Sequence, residues 1–336
     1  MDDYLEALDR ELRAILVSPD RVYDPYYGMF RYHLGWTDAQ FNDIKLDTGK
    51  RLRALLCLLS CETVSGDWKP ALPVAAAIEL AHNFSLIHDD IEDHGDSRRG
   101  RLTVWKVWGL AQGLNAGDGM FVLARLAMDR LCERGFSFEK CAVMSRIFDQ
   151  AMLALCRGQF LDLAFESRLD VTVDEYMEMI RGKTAALISA ASRLGAMLNS
   201  DDERLIGAFA RFGANTGLSF QIADDILGIW GDPSITGKSA ATDILSRKKS
   251  LPAIFGLTHP RYGAALRDIY GKGELTSEDV SAVLSLLDAA GAREYAQNQA
   301  DAFRTAAHAA LDETRITNHA MAGLSQIADL MSNRAR

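Results

Sequence analysis

The chain has little of several features that would restrict its class. Its 336 residues include only 7 prolines and 5 cysteines. The cysteines lie in apolar segments, and no second Cys or His pair accompanies Cys57 and Cys61, so we expect reduced thiols and no zinc site. No apolar run approaches the roughly 20 residues of a membrane span. The N-terminus lacks the basic and apolar parts of a signal peptide. We therefore expect a cytoplasmic protein with no integral membrane segment.

Strand-like alternation and interdomain linkers are also missing. Helix-period stretches rich in Ala, Leu and Met run almost from end to end, and the prolines lie near proposed loops or helix starts. Thr172 and Glu175 have capping-box spacing and predict a helix start. A net charge of −9 argues against nucleic acid as a partner. We therefore predict an all-α protein, with residues 1–336 forming a single domain.

Two aspartate-rich stretches stand out in this helical sequence. The first, 85–93, reads Ser-Leu-Ile-His-Asp-Asp-Ile-Glu-Asp, and the second, 220–227, reads Phe-Gln-Ile-Ala-Asp-Asp-Ile-Leu. Basic residues follow each stretch, at 98–99 and at 238–249. Carboxylates beside apolar residues need a countercharge, which Mg²⁺ shared with phosphate oxygens supplies, while Arg and Lys take up the remaining phosphate charge. The pattern predicts a site that holds a diphosphate through Mg²⁺.

The helical period places the acidic side chains on common faces. Asp89 and Asp93 lie roughly 40° apart around the helix and about 6 Å apart along its axis. His82, two turns earlier, falls on the same stripe. In the second stretch, Asp224 shares a face with Gln221. Each stretch therefore offers a carboxylate together with a second polar group that a ligand could reach.

The order of these motifs resembles that of the trans-isoprenyl diphosphate synthases, or polyprenyl synthetases, such as the farnesyl and geranylgeranyl diphosphate synthases. The resemblance covers roughly residues 45–255. A lone DDxxD motif would be weak evidence, whereas an ordered set is specific. The set consists of Gly49-Lys50-Arg51-Leu52-Arg53, Glu79-Leu80-Ala81-His82, Asp89 to Asp93, Arg98-Arg99-Gly100, Gly117-Asp118, Gly158-Gln159 with Asp162, Lys183-Thr184, Phe220 to Leu227, Thr236-Gly237-Lys238, Asp243 and Lys248-Lys249-Ser250-Leu251-Pro252.

The resemblance implies a large helical bundle of the isoprenoid synthase type with a central cavity. It implies a Mg²⁺-dependent prenyltransferase that condenses isopentenyl diphosphate with dimethylallyl, geranyl or farnesyl diphosphate to give a linear trans-prenyl diphosphate. It also implies a homodimer. In the family the departing diphosphate takes up the proton, so no protein base is required. We accordingly expect His88 to be a structural or hydrogen-bonding neighbour of the site.

The resemblance also assigns roles to individual residues. Three Mg²⁺ ions are implied, with Mn²⁺ as an alternative, two held by Asp89 and Asp93 and one by Asp224. Asp90 and Asp225 belong to the same catalytic motifs. The allylic diphosphate would be contacted by Arg98, Lys183, Gln221, Lys238 and Lys248. The isopentenyl diphosphate would be bound by Lys50, Arg51, His82 and Arg99.

Product length in such enzymes depends on bulk beneath the first acidic motif. Phe84 lies five residues before Asp89, about 7 Å along the helix, and Ser85 beside it is small. One large side chain with a small neighbour predicts geranylgeranyl diphosphate (C20), with farnesyl diphosphate (C15) as the runner-up. Met120 and Phe121 are further candidates for the lining of the same tunnel.

Two residues depart from the family pattern, and other functions compete. Gly228 replaces the last Asp often found in the second motif, and Trp105 stands where many members have His. A terpene cyclase on the same scaffold would not need the isopentenyl diphosphate site. A non-catalytic regulatory subunit usually loses its acidic motifs. A metal phosphohydrolase, suggested by His88-Asp89, would require several further His ligands.

Overall fold

Helices dominate the computed structural model, which describes residues 2–44, 46, 49–231 and 242–332. This confirms the predicted all-α class. Lys238, one of the predicted diphosphate ligands, lies outside the described residues. In chain order the helices are α1 Asp2–Ile15, α2 Asp24–His33, α3 Leu52–Ser65, α4 Leu72–Glu92, α5 Val104–Trp108, α6 Leu110–Glu133, α7 Phe138–Phe165, α8 Val173–Ile180, α9 Ala186–Met197, α10 Glu203–Trp230, α11 Thr242–Leu245, α12 Leu251–Thr258, α13 Gly263–Tyr270, α14 Ser277–Ala289, α15 Ala292–Asp312 and α16 His319–Ser332.

The chain divides into two compact units. The first comprises Met1–Phe148 and Ala191–Asp201, and the second comprises Asp149–Ala190 and Asp202–Arg336. The first acidic motif belongs to the first unit and the second motif to the second unit. The single-domain organisation stays a prediction.

Helix α4 forms the centre of the first unit. Pro73 occupies its first turn, where the missing N–H is harmless, and the helix packs against α6, α3 and α1. By length and composition, Lys69–Glu92 passes as a membrane span, and 72% of its apolar window is buried inside the protein. The sequence prediction overlooked this run because Glu79 and His82 interrupt it. Its burial is that of a core helix, and the run ends at the first acidic motif.

A two-residue hairpin follows α4. Strands β1 (Ser97–Arg98) and β2 (Arg101–Leu102) pair antiparallel, with Arg98 opposite Arg101. The connecting residues Arg99 and Gly100 have φ values of 51° and 74°. Two positive φ angles are what a type I′ turn requires. The basic residues that follow the first acidic stretch therefore lie in a tight hairpin, and its two-residue strands are too short to show an alternating sequence pattern.

Helices α10 and α15 pack together in the second unit, and α16 packs against both. Tyr176, Ile222, Ile254 and Ala300 are among the buried residues of this core. Helix α8 begins as predicted with a capping box. The Thr172 hydroxyl accepts a bond of 3.2 Å from the Glu175 N–H, and the Glu175 carboxylate accepts one of 2.9 Å from the Thr172 N–H.

Candidate active site

The carboxylates at the end of α4 have unequal environments. Asp90 is only 5% exposed, and its Oδ1 accepts a bond of 2.8 Å from Arg98 Nε. Burial raises the pKa of Asp90, and the Arg98 guanidinium opposes that shift. Asp93 is exposed and Asp89 is half-buried. An ion can therefore reach the two carboxylates that were predicted to bind metal, whereas Asp90 holds Arg98 in place.

Arg101 anchors the hairpin to the segment that ends α2. Its guanidinium donates to the backbone carbonyls of Tyr32 and Thr37 at 3.1 and 2.8 Å and lies 3.9 Å above the Tyr32 ring. The neighbouring Arg99 packs against backbone. A Cβ at Gly49 would lie 3.2 Å from Arg99 Nη2, so the absence of a side chain there lets the guanidinium approach. The Arg99 guanidinium therefore lies beside Gly49, three residues before the start of α3.

A cavity of about 530 Å³ lies beside the hairpin in the first unit. Its acidic, basic and histidine lining residues, within the described part of the chain, are His33, Asp90, Arg98, Arg99 and Arg101. Three guanidinium groups therefore accompany one carboxylate. Such a cavity suits an anion with several negative charges, and the planar guanidinium matches phosphate oxygens in pairs. We call this cavity, together with Arg53 and His82, the cationic pocket.

Two histidines of the cationic pocket are held neutral. Burial and then the charges of Arg98 and Arg99 lower the pKa of His33 to about 3. Burial also lowers the pKa of His82, and Arg53 and Arg99 add to the effect. The Nε2 atom of His33 is buried without a hydrogen-bond partner among the described residues. An anion that offsets the arginine charges would therefore raise the pKa values of both histidine rings.

The structure separates Arg51 from Arg53. Arg51 is 8% exposed, precedes α3 in a left-handed conformation, and its Nη2 lies 3.0 Å from Asp9 Oδ1. Arg53 Nη1 instead lies 3.3 Å from His82 Nε2. Lys50 is exposed. The resemblance assigned isopentenyl diphosphate to Arg51 and not to Arg53, although the three-residue spacing of Lys50 and Arg53 could have pointed to Arg53. The geometry makes Arg53 the better candidate for the anion site.

His88 and Trp105 have structural contacts in the first unit. His88 Nε2 lies 3.2 Å from the Leu114 carbonyl oxygen, as expected for a hydrogen-bonding neighbour. A Cβ at Gly117 would lie 2.1 Å from that nitrogen, so Gly117 makes room for the ring. Trp105 Nε1 donates to the Gly95 carbonyl at 2.9 Å. Trp105 therefore fixes the loop that follows Asp93. This contact gives the tryptophan, which departs from the family pattern, a structural role.

Phe84 forms an aromatic pair in the first unit. It is 7% exposed, and its ring centroid lies 5.2 Å from that of Phe121 on α6 and 5.7 Å from that of His88. Met120 beside Phe121 is fully buried. Ser85 is half-buried and donates to the His82 carbonyl at 2.8 Å. The residues predicted to limit product length thus include two aromatic rings in contact, one turn before the carboxylates.

The two carboxylates of the second motif differ in the same way as those of the first. Asp225 is 1% exposed and accepts bonds from the Tyr176 hydroxyl at 2.7 Å, Gln221 Nε2 at 3.0 Å and the Leu251 N–H at 3.0 Å. Burial raises the pKa of Asp225 to about 6, although the hydrogen bonds from Tyr176 and Leu251 act to lower it. Asp224 is exposed. Asp225 therefore joins α8, α10 and α12, and Asp224 is the carboxylate that an ion can reach.

A π-helical segment, Arg181–Ala185, places Lys183 against α7. The Lys183 amine forms a close ion pair with Asp162. A Cβ at Gly158 would lie 2.0 Å from the Lys183 backbone nitrogen, so the close packing of the segment requires glycine there. Thr184 Oγ1 donates to Gln221 Oε1 at 2.6 Å. Both ends of the Gln221 amide are thus engaged within the protein, which favours a positioning role over a direct contact with substrate. Short π segments often occur at functional sites.

Lys248 is the counterion of the second motif. Burial alone would lower its pKa, but the pKa is raised overall because several carboxylates act on the amine. Its backbone N–H donates to the Asp243 carbonyl at 2.9 Å. Together with Lys183, Lys248 supplies positive charge to four carboxylates around the second motif. The carboxylates are those of Asp225, Asp243, Asp162 and Asp224.

The donor set suits a divalent cation shared with phosphate. Mg²⁺ in such sites is bound by one or two carboxylates together with substrate phosphate oxygens. Asp93 and Asp224 present exposed carboxylates, and Asp89 a half-buried one, beside basic side chains of their own units. In the part of the chain that the structure describes, no three His, Cys, Asp or Glu side chains could hold a metal ion among themselves.

Comparison with known proteins decides the family. The model for polyprenyl synthetase matches residues 35–287. The chain belongs to the polyprenyl synthetase family. It is 40% identical over 275 residues to the (2E,6E)-farnesyl diphosphate synthase of Mycobacterium tuberculosis, covering 80% of this chain and 75% of that one. It is 39% identical over 307 residues to the geranylgeranyl diphosphate synthase of the same organism, covering 90% and 86%.

Solved structures agree with this assignment. The polyprenyl synthetase from Streptomyces coelicolor A3(2) has a TM-score of 0.88 at 36% identity, with 98% of both chains covered. The geranylgeranyl pyrophosphate synthase from Corynebacterium glutamicum, complexed with isoprenyl diphosphate and magnesium, has a TM-score of 0.83 at 27% identity, with 99% of both chains covered. The predicted isoprenoid synthase fold is confirmed.

This polyprenyl synthetase is therefore a trans-prenyltransferase that makes linear prenyl diphosphates from isoprenyl diphosphate substrates and depends on a divalent metal. The predicted family and enzyme class are confirmed. The relatives include both farnesyl and geranylgeranyl diphosphate synthases, so the family alone leaves the chain length open. The roles of the individual site residues stay predictions.

Proposed function

We propose that this synthetase extends allylic diphosphates with isopentenyl diphosphate and releases mainly geranylgeranyl diphosphate. The observation that carries the proposal lies in the first unit, where α4 ends in the accessible carboxylates Asp89 and Asp93 beside the cationic pocket. Carboxylates suit the metal that binds an allylic diphosphate, and the pocket suits a second diphosphate without metal. A cyclase would not need that second anion site.

Asp89 and Asp93 are the proposed ligands of two Mg²⁺ ions, and Asp224 is the proposed ligand of a third, with Mn²⁺ as an alternative. When bound, these ions supply Lewis-acid stabilisation of the negative charge that develops on the departing diphosphate. Lys183 and Lys248 add fixed positive charge near the second motif. Asp90 and Asp225 hold the basic and backbone groups around these carboxylates in position.

The cationic pocket is the proposed site of isopentenyl diphosphate. Arg53, His82 and Arg99 lie close together and can donate to its oxygens, and exposed Lys50 can join them. Arg51, held by Asp9, positions the start of α3. The two histidines are neutral before substrate binds. Neither is needed as a base, because the departing diphosphate can accept the proton that the carbocation formed by condensation loses to give the new allylic double bond.

Binding of inorganic pyrophosphate to the cationic pocket should take up protons at acidic pH, below the ordinary histidine pKa of 6.5. The pKa of His33 and that of His82 lie below the ordinary 6.5 because burial and arginine charges disfavour the protonated rings. A bound anion offsets those charges and raises both pKa values. Between the free and bound pKa values the complex holds more protons, so affinity should increase as pH falls through that window.

Calorimetry in buffers of different ionisation enthalpy measures this uptake directly. His82→Asn should reduce the number of protons taken up, whereas His308→Asn, which removes a histidine that contacts Asp329 in the second unit, should not. An observed binding heat that does not change with the ionisation enthalpy of the buffer would show that no protons are taken up, which would contradict the expectation.

Phe84→Ala should lengthen the products beyond C20. Phe84, about 7 Å before Asp89 along α4, pairs with Phe121 on α6 to form an aromatic obstacle, and removal of one ring opens space for further isoprene units. Products are compared by chromatography after dephosphorylation. Phe148→Ala removes a fully buried ring on α7 and serves as the control, since it should leave the length distribution unchanged. An unchanged distribution in Phe84→Ala would remove this residue from the account.

Incubation with Mg²⁺, isopentenyl diphosphate and, separately, dimethylallyl, geranyl or farnesyl diphosphate tests the proposed function. Linear products ending at C20 support it. Products ending at C15 would keep the synthase chemistry and correct only the length, in favour of the farnesyl alternative. Cyclised product without isopentenyl incorporation would favour a terpene cyclase. No incorporation with any primer would favour a subunit that acts only with a partner.

We also propose a homodimer. Helix α6 carries an exposed apolar stripe, with side chains spaced by four or eight residues, and an unpaired stripe of this kind is typical of a protein interface. Light scattering during size-exclusion chromatography should give twice the mass of one chain, and Leu126→Glu should shift it toward the monomer. The stripe consists of Leu110, Leu114, Val122 and Leu126.

A further inference from the structure

A carboxylate of the first helix contacts the residue that precedes α3. Asp9 Oδ1 on α1 accepts a bond of 3.0 Å from Arg51 Nη2. Leu8 and Leu12 on the same helix are fully buried, and α1 packs against α3 and α4. The match to the polyprenyl synthetase model begins at residue 35, so Asp9 precedes the part of the chain that the family model describes. A firmly packed helix therefore presents this carboxylate to Arg51.

Arg51 is a residue that needs such a partner. Its backbone has φ 45° and ψ 38°, a left-handed conformation that costs free energy for any residue with a Cβ atom. Its side chain is only 5% exposed, and a buried guanidinium requires a countercharge. Asp9 supplies that charge and accepts a hydrogen bond from the same group. The contact therefore stabilises the left-handed turn at Arg51.

The turn at Arg51 adjoins donors of the cationic pocket. Lys50 directly precedes it, and Arg53, two residues later, has its Nη1 atom 3.3 Å from His82 Nε2. Gly49 lies beside Arg99 in the cationic pocket. A change in the backbone at Arg51 would therefore displace residues that the proposed anion site requires.

A second cavity lies next to this segment in the first unit. It has a volume of about 430 Å³, and its lining includes Asp9, Glu6, Arg51 and Gly49. Gly49 also lines the cavity of the cationic pocket. The Asp9–Arg51 pair and the anion donors thus meet the same short stretch of backbone from two neighbouring cavities.

The other oxygen of Asp9 leads to the opposite wall of the cationic pocket. Asp9 Oδ2 accepts a bond of 2.7 Å from Arg13 Nε, and the Arg13 guanidinium lies 4.3 Å from the centre of the Trp36 ring. The next residue, Thr37, accepts a bond from Arg101 of the hairpin. Because the pair between Asp9 and Arg13 lies at the surface, its contribution is small, and the contact with Arg51 carries the argument.

We infer that Asp9 is a positioning residue for isopentenyl diphosphate. Through Arg51 it fixes the left-handed turn between Lys50 and Arg53, and it does not itself contact the substrate. The inference rests on the proposed assignment of isopentenyl diphosphate to the cationic pocket. Loss of Asp9 should accordingly weaken the binding of this one substrate and leave the chemical step and the allylic substrate unaffected.

Steady-state kinetics with isopentenyl diphosphate varied at saturating geranyl diphosphate and Mg²⁺ test the inference. Asp9→Asn should raise KM for isopentenyl diphosphate by about tenfold, since a hydrogen bond to a charged group typically contributes that much to an equilibrium. Both kcat and KM for geranyl diphosphate should stay close to the values of the wild type. An unfolded fraction would lower kcat without raising KM, so KM separates a role in positioning from a loss of folded protein.

Glu6→Gln is the matched control. Glu6 is an exposed carboxylate of α1 that lines the same second cavity as Asp9, so the substitution removes an equal charge from that cavity. It should leave KM for isopentenyl diphosphate unchanged. An equal rise of KM in Glu6→Gln and Asp9→Asn would overturn the inference, because the effect would then come from the general charge of the helix.

A double-mutant cycle tests whether Asp9 acts through Arg51. Arg51→Gln should also raise KM for isopentenyl diphosphate, and Asp9→Asn should add little when it is introduced into Arg51→Gln, because the contact is already lost. Unchanged KM in Asp9→Asn, or independent effects that multiply in the double variant, would overturn the inference.

Arg99→Gln distinguishes the inference from the proposed function. Arg99 lines the cationic pocket itself, and its loss should raise the same KM. A rise of KM in Arg99→Gln with none in Asp9→Asn would refute only the role of Asp9. Unchanged KM in both variants would refute the assignment of isopentenyl diphosphate to the cationic pocket.

Discussion

Asp89→Asn should lower kcat/KM by about 10²- to 10³-fold and leave the thermal unfolding temperature close to that of the wild type. Loss of one preorganised electrostatic group at a reacting centre typically costs that much. Asp89 is half-buried at the end of α4, so water can reach its side chain and replace part of what the substitution removes. Its neighbour behaves differently. Asp90→Asn should lower the unfolding temperature, because Arg98 then loses the buried carboxylate that fixes it.

Steady-state kinetics and differential scanning calorimetry on both variants separate the two effects. Asp96→Asn, a change at an exposed carboxylate in the same loop, should alter neither quantity strongly, since its pair with Lys106 lies at the surface. Near-wild-type kcat/KM in Asp89→Asn would remove this residue from the proposed metal site. A greater loss of stability in Asp89→Asn than in Asp90→Asn would contradict the division of roles between the two neighbours.

Asp225→Asn should lower the free energy of unfolding by about 3 kcal/mol, while Asp224→Asn should change it by less than about 0.5 kcal/mol. Three donors converge on the Asp225 carboxylate, from Tyr176, Gln221 and Leu251. An asparagine replaces one acceptor oxygen with a donor, so at least one of these buried donors loses its partner. Asp224 is exposed, and water can replace what the substitution removes.

The pH dependence of this stability difference has a definite sign. The folded pKa of Asp225, about 6, lies above its ordinary value of 3.8 because burial disfavours the ionised form. Between pH 4 and 6 the folded state therefore binds more protons at this group than the unfolded state. Its contribution to stability is fully present below pH 4 and decreases as pH rises through 6. The difference between wild type and Asp225→Asn should narrow over that interval.

Urea unfolding of wild type, Asp224→Asn and Asp225→Asn at pH 4.5 and pH 7 measures both parts of this expectation. The two variants differ by the same chemical change at adjacent positions, so each serves as the control for the other. Equal stability of the two variants would show that the contacts of Asp225 are not needed by the fold. If the difference in unfolding free energy between wild type and Asp225→Asn widens from pH 4.5 to pH 7, the folded pKa of Asp225 is not raised.

The amino-acid sequence by itself determined the helical class, the family and the order of the motifs. Helix formation follows from local periodicity, and so does the placement of Asp89 and Asp93 one turn apart at the end of α4. The capping box at Thr172 and Glu175 is likewise a local pattern, and the structure contains it. These features depend on residues within a few positions of one another, which is why the sequence alone reveals them.

Only the tertiary structure showed which side chains of each motif are buried and which are exposed. Helix α4 is apolar around most of its circumference, so its sequence does not show that Asp90 is buried while Asp93 is exposed. The buried Asp225 accepts hydrogen bonds from residues 26 and 49 positions away in the chain. Arg53 contacts His82, 29 residues away.

Asp243 and Gly228 make the same point most clearly, because neither residue suggests the other until α11 brings the carboxylate against α10. The burial and the charge pairing of a side chain depend on many neighbours that are distant in the sequence. Helical period selects the residues that can share a face, and only packing selects which of them are buried and which are exposed.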